Sequence, residues 1–510
     1  MRLTAIALAS ALVTSVLSGC SSSPLQPQLP SDPLPPRPAA GRPTQPVPDV
    51  RPQGFADPPP GHGLDRYRSQ ALNWRDCGSL RCATVLVPLD YTRPDATAIT
   101  LTVGMRTAHG STRGMVFTNP GGPGGSGLTF LGGMDSPELA DLDLVSWDPR
   151  GTGLSTPVRC WGDAEADAYA AVDLSPDDDA ERTALADGAQ RLGLACLAGS
   201  GPLLQHLSSA DTARDLDVIR AVLGRSRIDY IGLSNGTLIG AIYAQLFPDR
   251  VGRFVLDGAV NISSSPVLQL QGFDRALEAM ADWCVAQSAG CRLGTSRAEV
   301  IRTITDFWSR LDADPERDGG RRLTQTFAAV GVLQGLYGGE AGYPRLVSAL
   351  DAAINGSSPA QLLRYADSLL GRRPDGSRTQ FTYAYPASRC ADTSNDGLAK
   401  AWTEAGEEAR AAPIFGPVAG TDVECASWPV NAPKRMPLTA PKAPRMIVIG
   451  TTGDPATPYA WAQGMARQLK SAVLVTHRGT GHTAFGSACY GEIVRPYLLN
   501  GRLPADGTTC

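Results

Sequence analysis

The chain has 510 residues, 46 Lys and Arg against 50 Asp and Glu, a formal charge of −4 and 42% hydrophobic residues. That length allows a large core, and division into two domains is the expectation. The near-balanced charge, with no basic block, argues against a nucleic-acid partner.

The first stretch reads as an address. Arg2 supplies a positive start, residues 3–17 are apolar and short, and Leu17-Ser18-Gly19-Cys20 follows. A short apolar run ending in small residues is a secretory signal rather than a membrane span. The form Leu-Ser-Gly-Cys resembles a bacterial lipobox. That implies a signal peptide over 1–19 and a lipid on Cys20; an ordinary signal peptide with a chance cysteine is the alternative. Residues 20–63 are rich in proline and poor in aliphatic side chains. Such a stretch cannot bury a core. As polyproline II, some 40 residues would reach at most on the order of 120 Å, so the segment reads as a tether.

There are eleven cysteines, and setting Cys20 aside leaves an even ten. An even number in an exported chain points to disulfides, whose connectivity sequence alone does not give. Nearest-neighbour pairing is the expectation: 77/82, 160/196, 284/291, 390/425 and 489/510. No Cys-x2-Cys spacing with accompanying histidines suggests zinc, and neither a metal nor a cofactor is expected.

From about Leu64 the chain reads as strands alternating with helices. Strands are expected at 83–89, 99–105, 115–117, 142–147, 228–231 and 253–257, with a helix at 215–223. Alternation implies a mostly parallel sheet with its site at the carboxyl ends of the strands.

The third strand runs into Asn119-Pro120-Gly121-Gly122-Pro123-Gly124-Gly125-Ser126-Gly127. Gly122 to Gly127 literally fits the Gly-x-Gly-x-x-Gly dinucleotide fingerprint, with Asp148 about twenty residues on. A proline inside the turn, two preceding strands and export all speak against that reading. An oxyanion loop fits better, because acyl transfer needs two backbone N–H groups aimed at one developing charge. Gly122 is the expected donor, with Gly121 the alternative.

The strand at 228–231 leads into Gly232-Leu233-Ser234-Asn235-Gly236, and a helix-like run follows. Gly-x-Ser-x-Gly at a strand-to-helix turn presents a serine hydroxyl at a helix N-terminus. Asn235 N–H then supplies the second oxyanion donor.

Residues 261–435 read as an inserted helical cap, with helices at 269–286, 296–311, 324–337, 345–355 and 359–370. The sheet resumes over 436–510. A strand at 445–450 ends in Gly453-Asp454-Pro455-Ala456-Thr457-Pro458, and a last strand at 472–476 precedes Gly479-Thr480-Gly481-His482. A serine hydroxyl needs a base near pKa 7 and a carboxylate to orient it. Ser234, Asp454 and His482 follow the hydrolase order Ser…Asp…His. His62, His109, His206 and His477 are poorer placed, and Asp257, ending the strand after the nucleophile helix, is the rival acid. Asp148 and Arg150, in Asp148-Pro149-Arg150-Gly151, read as loop braces rather than reacting groups.

With Trp74-x-x-Cys77 and Val87-Pro88-Leu89-Asp90-Tyr91, these motifs resemble the actinobacterial tripeptidyl aminopeptidase family, relatives of proline iminopeptidase among the α/β-hydrolases. The resemblance runs over most of 74–510. It implies an α/β-hydrolase fold, an exported enzyme releasing short peptides from free N-termini, and a cap that contacts the substrate's amino end; a monomer is the expectation. Asp392 and Glu340 are the candidate cap carboxylates. The family usually has tyrosine after the nucleophile, where this chain has Asn235. Two readings follow: a lipid-anchored, extracytoplasmic serine aminopeptidase, or a carboxylesterase acting on cell-envelope or exogenous esters. A surface lipoprotein that merely kept the fold is the non-catalytic alternative.

Overall fold

The computed structural model describes residues 53–510, except 261–266, 289, 357, 420–421 and 433–435. The signal peptide, Cys20 and the tether up to residue 52 lie outside the described residues.

Thirteen strands are described: β1 (Phe55–Ala56), β2 (Arg75–Cys77), β3 (Leu80–Pro88), β4 (Ala98–Arg106), β5 (Met115–Asn119), β6 (Asp143–Trp147), β7 (Ile228–Leu233), β8 (Val251–Asp257), β9 (Glu316–Asp318), β10 (Arg321–Leu323), β11 (Met446–Gly453), β12 (Ala472–Thr480) and β13 (Thr508–Thr509). Eleven form one sheet in the order β13-β12-β11-β8-β7-β5-β6-β4-β3-β2, with β1 on β4; β9 and β10 form a separate hairpin. From β6 to β13 every pairing is parallel, whereas β1 to β4 join antiparallel. The sheet thus reaches into the proline-rich stretch, where Phe55 pairs with Ile99.

The central strands read as continuous apolar runs because helices cover both faces. In β11 the first six residues, Met446 to Thr451, are all buried. One face packs Phe117, Trp147, Leu216, Tyr230 and Phe254 into a large cluster, and the other packs Leu144, Ile231, Val255 and Ile449. The chain runs from β5 to β6 on one side and returns to β7 on the other, so the strand order reverses beside β5. Ligand crevices in open α/β sheets form at such a reversal.

Between β8 and β11 the chain is mostly helical and has its own apolar cluster, including Leu277, Met280, Ile304, Phe307, Trp308, Leu336, Leu350 and Leu362. The helix Arg297–Ala313 shows the local logic. Ser296 accepts the Glu299 N–H and Glu299 accepts the Thr295 N–H, which satisfies orphan donors at the start. Val300, Ile304, Phe307, Trp308 and Leu311 then recur on one buried face. Each large side chain so buried stabilises by roughly 1.5–3 kcal/mol.

Two helix boundaries differ from the pattern reading. Helix Gly339–Ile354 begins before Pro344 rather than after it, and helix Ser209–Val222 begins earlier, capped by Ser208. The ten cysteines pair as 77–82, 160–196, 284–291, 390–425 and 489–510.

Candidate active site

Five strand ends converge at the carboxyl edge of the sheet: Asn119, Leu233, Asp257, Gly453 and Thr480. Each leads directly into a loop that carries part of the site.

Ser234 caps helix Asn235–Leu246 with φ 53° and ψ −124°. A side chain at positive φ is costly and persists only where surrounding contacts enforce it. Here the Ser234 N–H donates to Asp257 O at 3.0 Å, and Ser234 O accepts from Thr237 N and Thr237 Oγ1 at 2.9 and 2.7 Å. The flanking glycines are required by contact. A Cβ on Gly232 would lie 2.4 Å from Gly236 O, and one on Gly236 would lie 2.6 Å from Asn119 O.

The glycine loop abuts this turn. Asn119 Oδ1 accepts the Gly121 N–H at 2.9 Å, and Gly121 O accepts from Gly125 N at 3.0 Å. Gly121 has φ +86°, and a Cβ there would sit 2.6 Å from Asn235 N and 2.5 Å from Leu233 O. Gly122 follows at φ +111°. The two candidate oxyanion donors, Gly122 and Asn235, therefore belong to backbone segments in direct contact. Asn235 N–H opens the helix and has no intrahelical acceptor.

His482 follows β12. Its Nδ1 lies 3.0 Å from both Asp454 Oδ1 and Oδ2, and 3.3 Å from Thr457 Oγ1. The Asp454 side chain is wholly buried and the imidazole is 14% exposed. Asp454 also accepts from Ala456 N, Thr457 N, Thr457 Oγ1 and Thr483 N, at 2.9, 2.8, 2.8 and 3.0 Å. Burial pushes the His482 pKa down, but the charge and hydrogen bond of Asp454, with the Asp257 charge beyond, leave it raised above 6.5. The helical segment holds the same loop: His482 N–H donates to Tyr337 O at 3.0 Å, and the Tyr337 ring stands edge-on to the imidazole, centroids 5.2 Å apart.

One residue separates the Ser234 turn from the His482 loop. Gly258 follows the acceptor of Ser234 N–H, and a Cβ on it would lie 3.4 Å from His482 Cε1. Ser234 Oγ makes no hydrogen bond among the described residues. Gly258 therefore lies between the Ser234 turn and the His482 loop.

The rival acid, Asp257, is fully buried and pairs beside β11, yet its carboxylate accepts Ala484 N–H rather than the imidazole. His477 lies within β12, short of the loop. Of the two cap carboxylates, Asp392 accepts Ser209 N at 3.1 Å and Ser209 Oγ at 2.6 Å, at the start of helix Ser209–Val222. A helix N-terminus attracts a carboxylate by its free N–H groups and dipole, and this accounts for Asp392 without a substrate. Glu340 is exposed, and its N–H donates to Thr480 Oγ1 at 2.8 Å, beside the histidine loop. Asp148 accepts from Ser126 Oγ, Leu128 N and Leu154 N. Arg150 is fully buried on Asp215 at 2.7 and 2.6 Å and on three carbonyls. Both brace loops.

Two residues escaped the pattern reading. Thr457 was visible in Asp454-Pro455-Ala456-Thr457, where a hydroxyl three residues after an acid forms a local turn. Tyr337 carried no local signal.

Residues 412–510 match the family profile described as TAP-like protein, and residues 115–300 match that of the alpha/beta hydrolase fold. The chain is 35% identical over 451 residues to carboxylesterase B of Mycobacterium tuberculosis, covering 84% of this chain and 86% of the relative. It is 32% identical over 489 residues to serine protease Hip1 of the same species, covering 86% and 91%. The chain belongs to the TAP-like α/β-hydrolase family. Tripeptidyl aminopeptidase of Streptomyces lividans, another relative, is 29% identical over 475 residues, with 87% of each chain covered. Membership makes this TAP-like chain a serine hydrolase. Among the described residues no helix is long and apolar enough to cross a membrane.

Proposed function

We propose that the chain is an exported, lipid-anchored serine peptidase that releases short peptides from free N-termini through an acyl-enzyme. The observation that supports this is His482 Nδ1 set on the buried Asp454 carboxylate, with Gly258 between the histidine loop and the strained Ser234 turn.

His482 is bound at Nδ1, so its Nε2 is the free base. It takes the Ser234 proton as the oxygen attacks the scissile carbonyl. Asp454 holds the tautomer and stabilises the imidazolium. Gly122 and Asn235 N–H groups receive the oxyanion. The amine leaves with the proton from His482, and water repeats the steps on the acyl-serine. Glu340, whose backbone N–H meets Thr480 Oγ1 beside the histidine loop, is our candidate for the cap carboxylate that receives a substrate ammonium. Leu17-Ser18-Gly19-Cys20 is the basis for placing the anchor on Cys20.

The second reading is a carboxylesterase. Asn235 in place of the family's usual tyrosine favours it, as does the likeness to carboxylesterase B. The same triad serves both reactions. The deciding test is hydrolysis by residues 53–510 of short peptide amides, their N-acetylated forms and an acyl ester, with Ser234→Ala as control. Cleavage of free but not acetylated peptides, lost in Ser234→Ala, supports the peptidase. Ester turnover with both peptide sets inert overturns it.

A further inference from the structure

The turn after His482 is strained. Thr483 has φ +69°, one of only three non-glycine residues at positive φ among the described residues, Ser234 being another. Such a turn must be held from outside. Two buried carboxylates hold it, one on each successive N–H. Asp454 accepts from Thr483 N at 3.0 Å. Asp257 accepts from Ala484 N through both oxygens, at 3.0 and 3.1 Å.

Asp257 also touches the other half of the site. Its carbonyl oxygen accepts the Ser234 N–H, and Gly258 N donates to Ile449 O on β11 at 3.1 Å. A Cβ on Gly258 would lie 2.8 Å from Thr483 Cγ2. One strand end therefore registers the serine turn by its backbone and the histidine loop by its side chain. The groups that face the Asp257 carboxylate are Asp454 after β11, His482 after β12 and Tyr490 from the C-terminal segment. Burial pushes its pKa up to about 7, against the pull of the Ala484 N–H and the Tyr490 hydroxyl; Asp454 adds to the rise and His482 opposes it.

We propose that Asp257 is a positioning residue for His482, its carboxylate fixing the strained turn that presents the imidazole to Ser234. It is not a second catalytic acid, because Nδ1 is engaged by Asp454. The inference rests on the serine–histidine reading above, and the experiment separates the two.

Asp257→Asn, Asp257→Ala and Ser234→Ala would be compared for kcat, KM and the pH dependence of kcat/KM on an acyl ester, and for labelling by a fluorophosphonate. Asparagine keeps an acceptor for Ala484 N–H and removes the charge. It should retain most of kcat, because the turn keeps its acceptor, and the acidic limb should move little, since a carboxyl that titrates at about 7 is mostly uncharged there. Alanine removes the acceptor as well; kcat and the labelling rate should fall about 10²-fold, the usual cost of a misplaced group, with KM little changed. Wild-type kcat in Asp257→Ala, or a loss in Asp257→Asn as large as that in Asp257→Ala, overturns the proposal. Should the alanine variant not fold, Asp257→Ser, whose shorter hydroxyl does not reach the Ala484 N–H, decides by the same loss of kcat and labelling rate. Activity surviving in Ser234→Ala would instead overturn the serine–histidine reading.

Discussion

Replacing Asp454 by asparagine tests the site most directly. The carboxylate accepts five hydrogen bonds and donates none. In Asp454→Asn, Oδ1 keeps Ala456 N and Thr457 N. The new amide nitrogen then faces Thr483 N–H, Thr457 Oγ1 and His482 Nδ1. Thr457 can turn its hydroxyl to accept. Thr483 N–H cannot, and a buried donor without an acceptor costs about 1–3 kcal/mol. Nδ1 lies 3.0 Å from both positions, but Oδ1 is already taken by two backbone N–H groups, so the imidazole meets the amide donor and shifts its proton to Nε2, the atom proposed to receive the serine proton. A wrong tautomer of this kind lowers kcat about 10⁴-fold, roughly 5 kcal/mol of transition-state stabilisation. Steady-state kinetics on a peptide amide and an acyl ester read the loss, and fluorophosphonate labelling of Ser234 should slow in parallel. Folding should survive, because the two N–H bonds that shape the Asp454 turn remain. A folded Asp454→Asn with kcat within tenfold of wild type would refute the reasoning.

Gly121→Ala should lower kcat by about 10²–10³, the usual cost of an oxyanion donor. Its Cβ would strike Leu233 O and Asn235 N at 2.5 and 2.6 Å, so the loop must withdraw; unchanged kcat would show that Gly121–Gly122 does not serve the oxyanion. Arg150→Ala should cost about 3–5 kcal/mol by stranding the buried Asp215 charge. A thermal or urea transition at the wild-type position would contradict that. Asp257 also predicts a pH dependence of stability. Its folded pKa, about 7, lies above the 3.8 of an ordinary aspartate, so the stability it contributes is present below the lower value and is lost as pH rises through the upper one. Asp257→Asn does not titrate, and its Tm relative to wild type should rise between about pH 4 and pH 8. A difference independent of pH would show that Asp257 stays ionised throughout.

Much of the candidate site was legible as local geometry because its signals are local. The Ser234 turn needs glycine at 232 and 236 for contacts within a few residues, so a five-residue pattern carries it. The strands ending at Asp257, Gly453 and Thr480 each contain an apolar run, although the last extends past the expected 476 through polar residues, and the residues that follow them are marked by glycine and proline. The 22-residue helix Asp179–Ser200 was not legible. It packs through small residues: a Cβ on Gly188, Gly193 or Gly199 would strike Tyr169, Pro429 or the Arg159 carbonyl. Close approach replaces the large apolar stripe that marks other helices. The start of Gly339–Ile354 was hidden by Pro344, which sits inside the helix.

The sequence by itself determined the strand–turn–helix at Ser234, the order Ser…Asp…His and the alternation that builds the sheet, because backbone preference and apolar periodicity act over a few residues. Which acid meets the imidazole, and what each remaining carboxylate holds, was decided only by tertiary structure. Asp257 and Asp454 both end neighbouring parallel strands and look equivalent in the chain. The β12 loop brings His482 Nδ1 to one and Ala484 N–H to the other. Asp392 stands 183 residues from the helix start it caps. Hydrogen bonds at that separation depend on packing, and no local pattern encodes them.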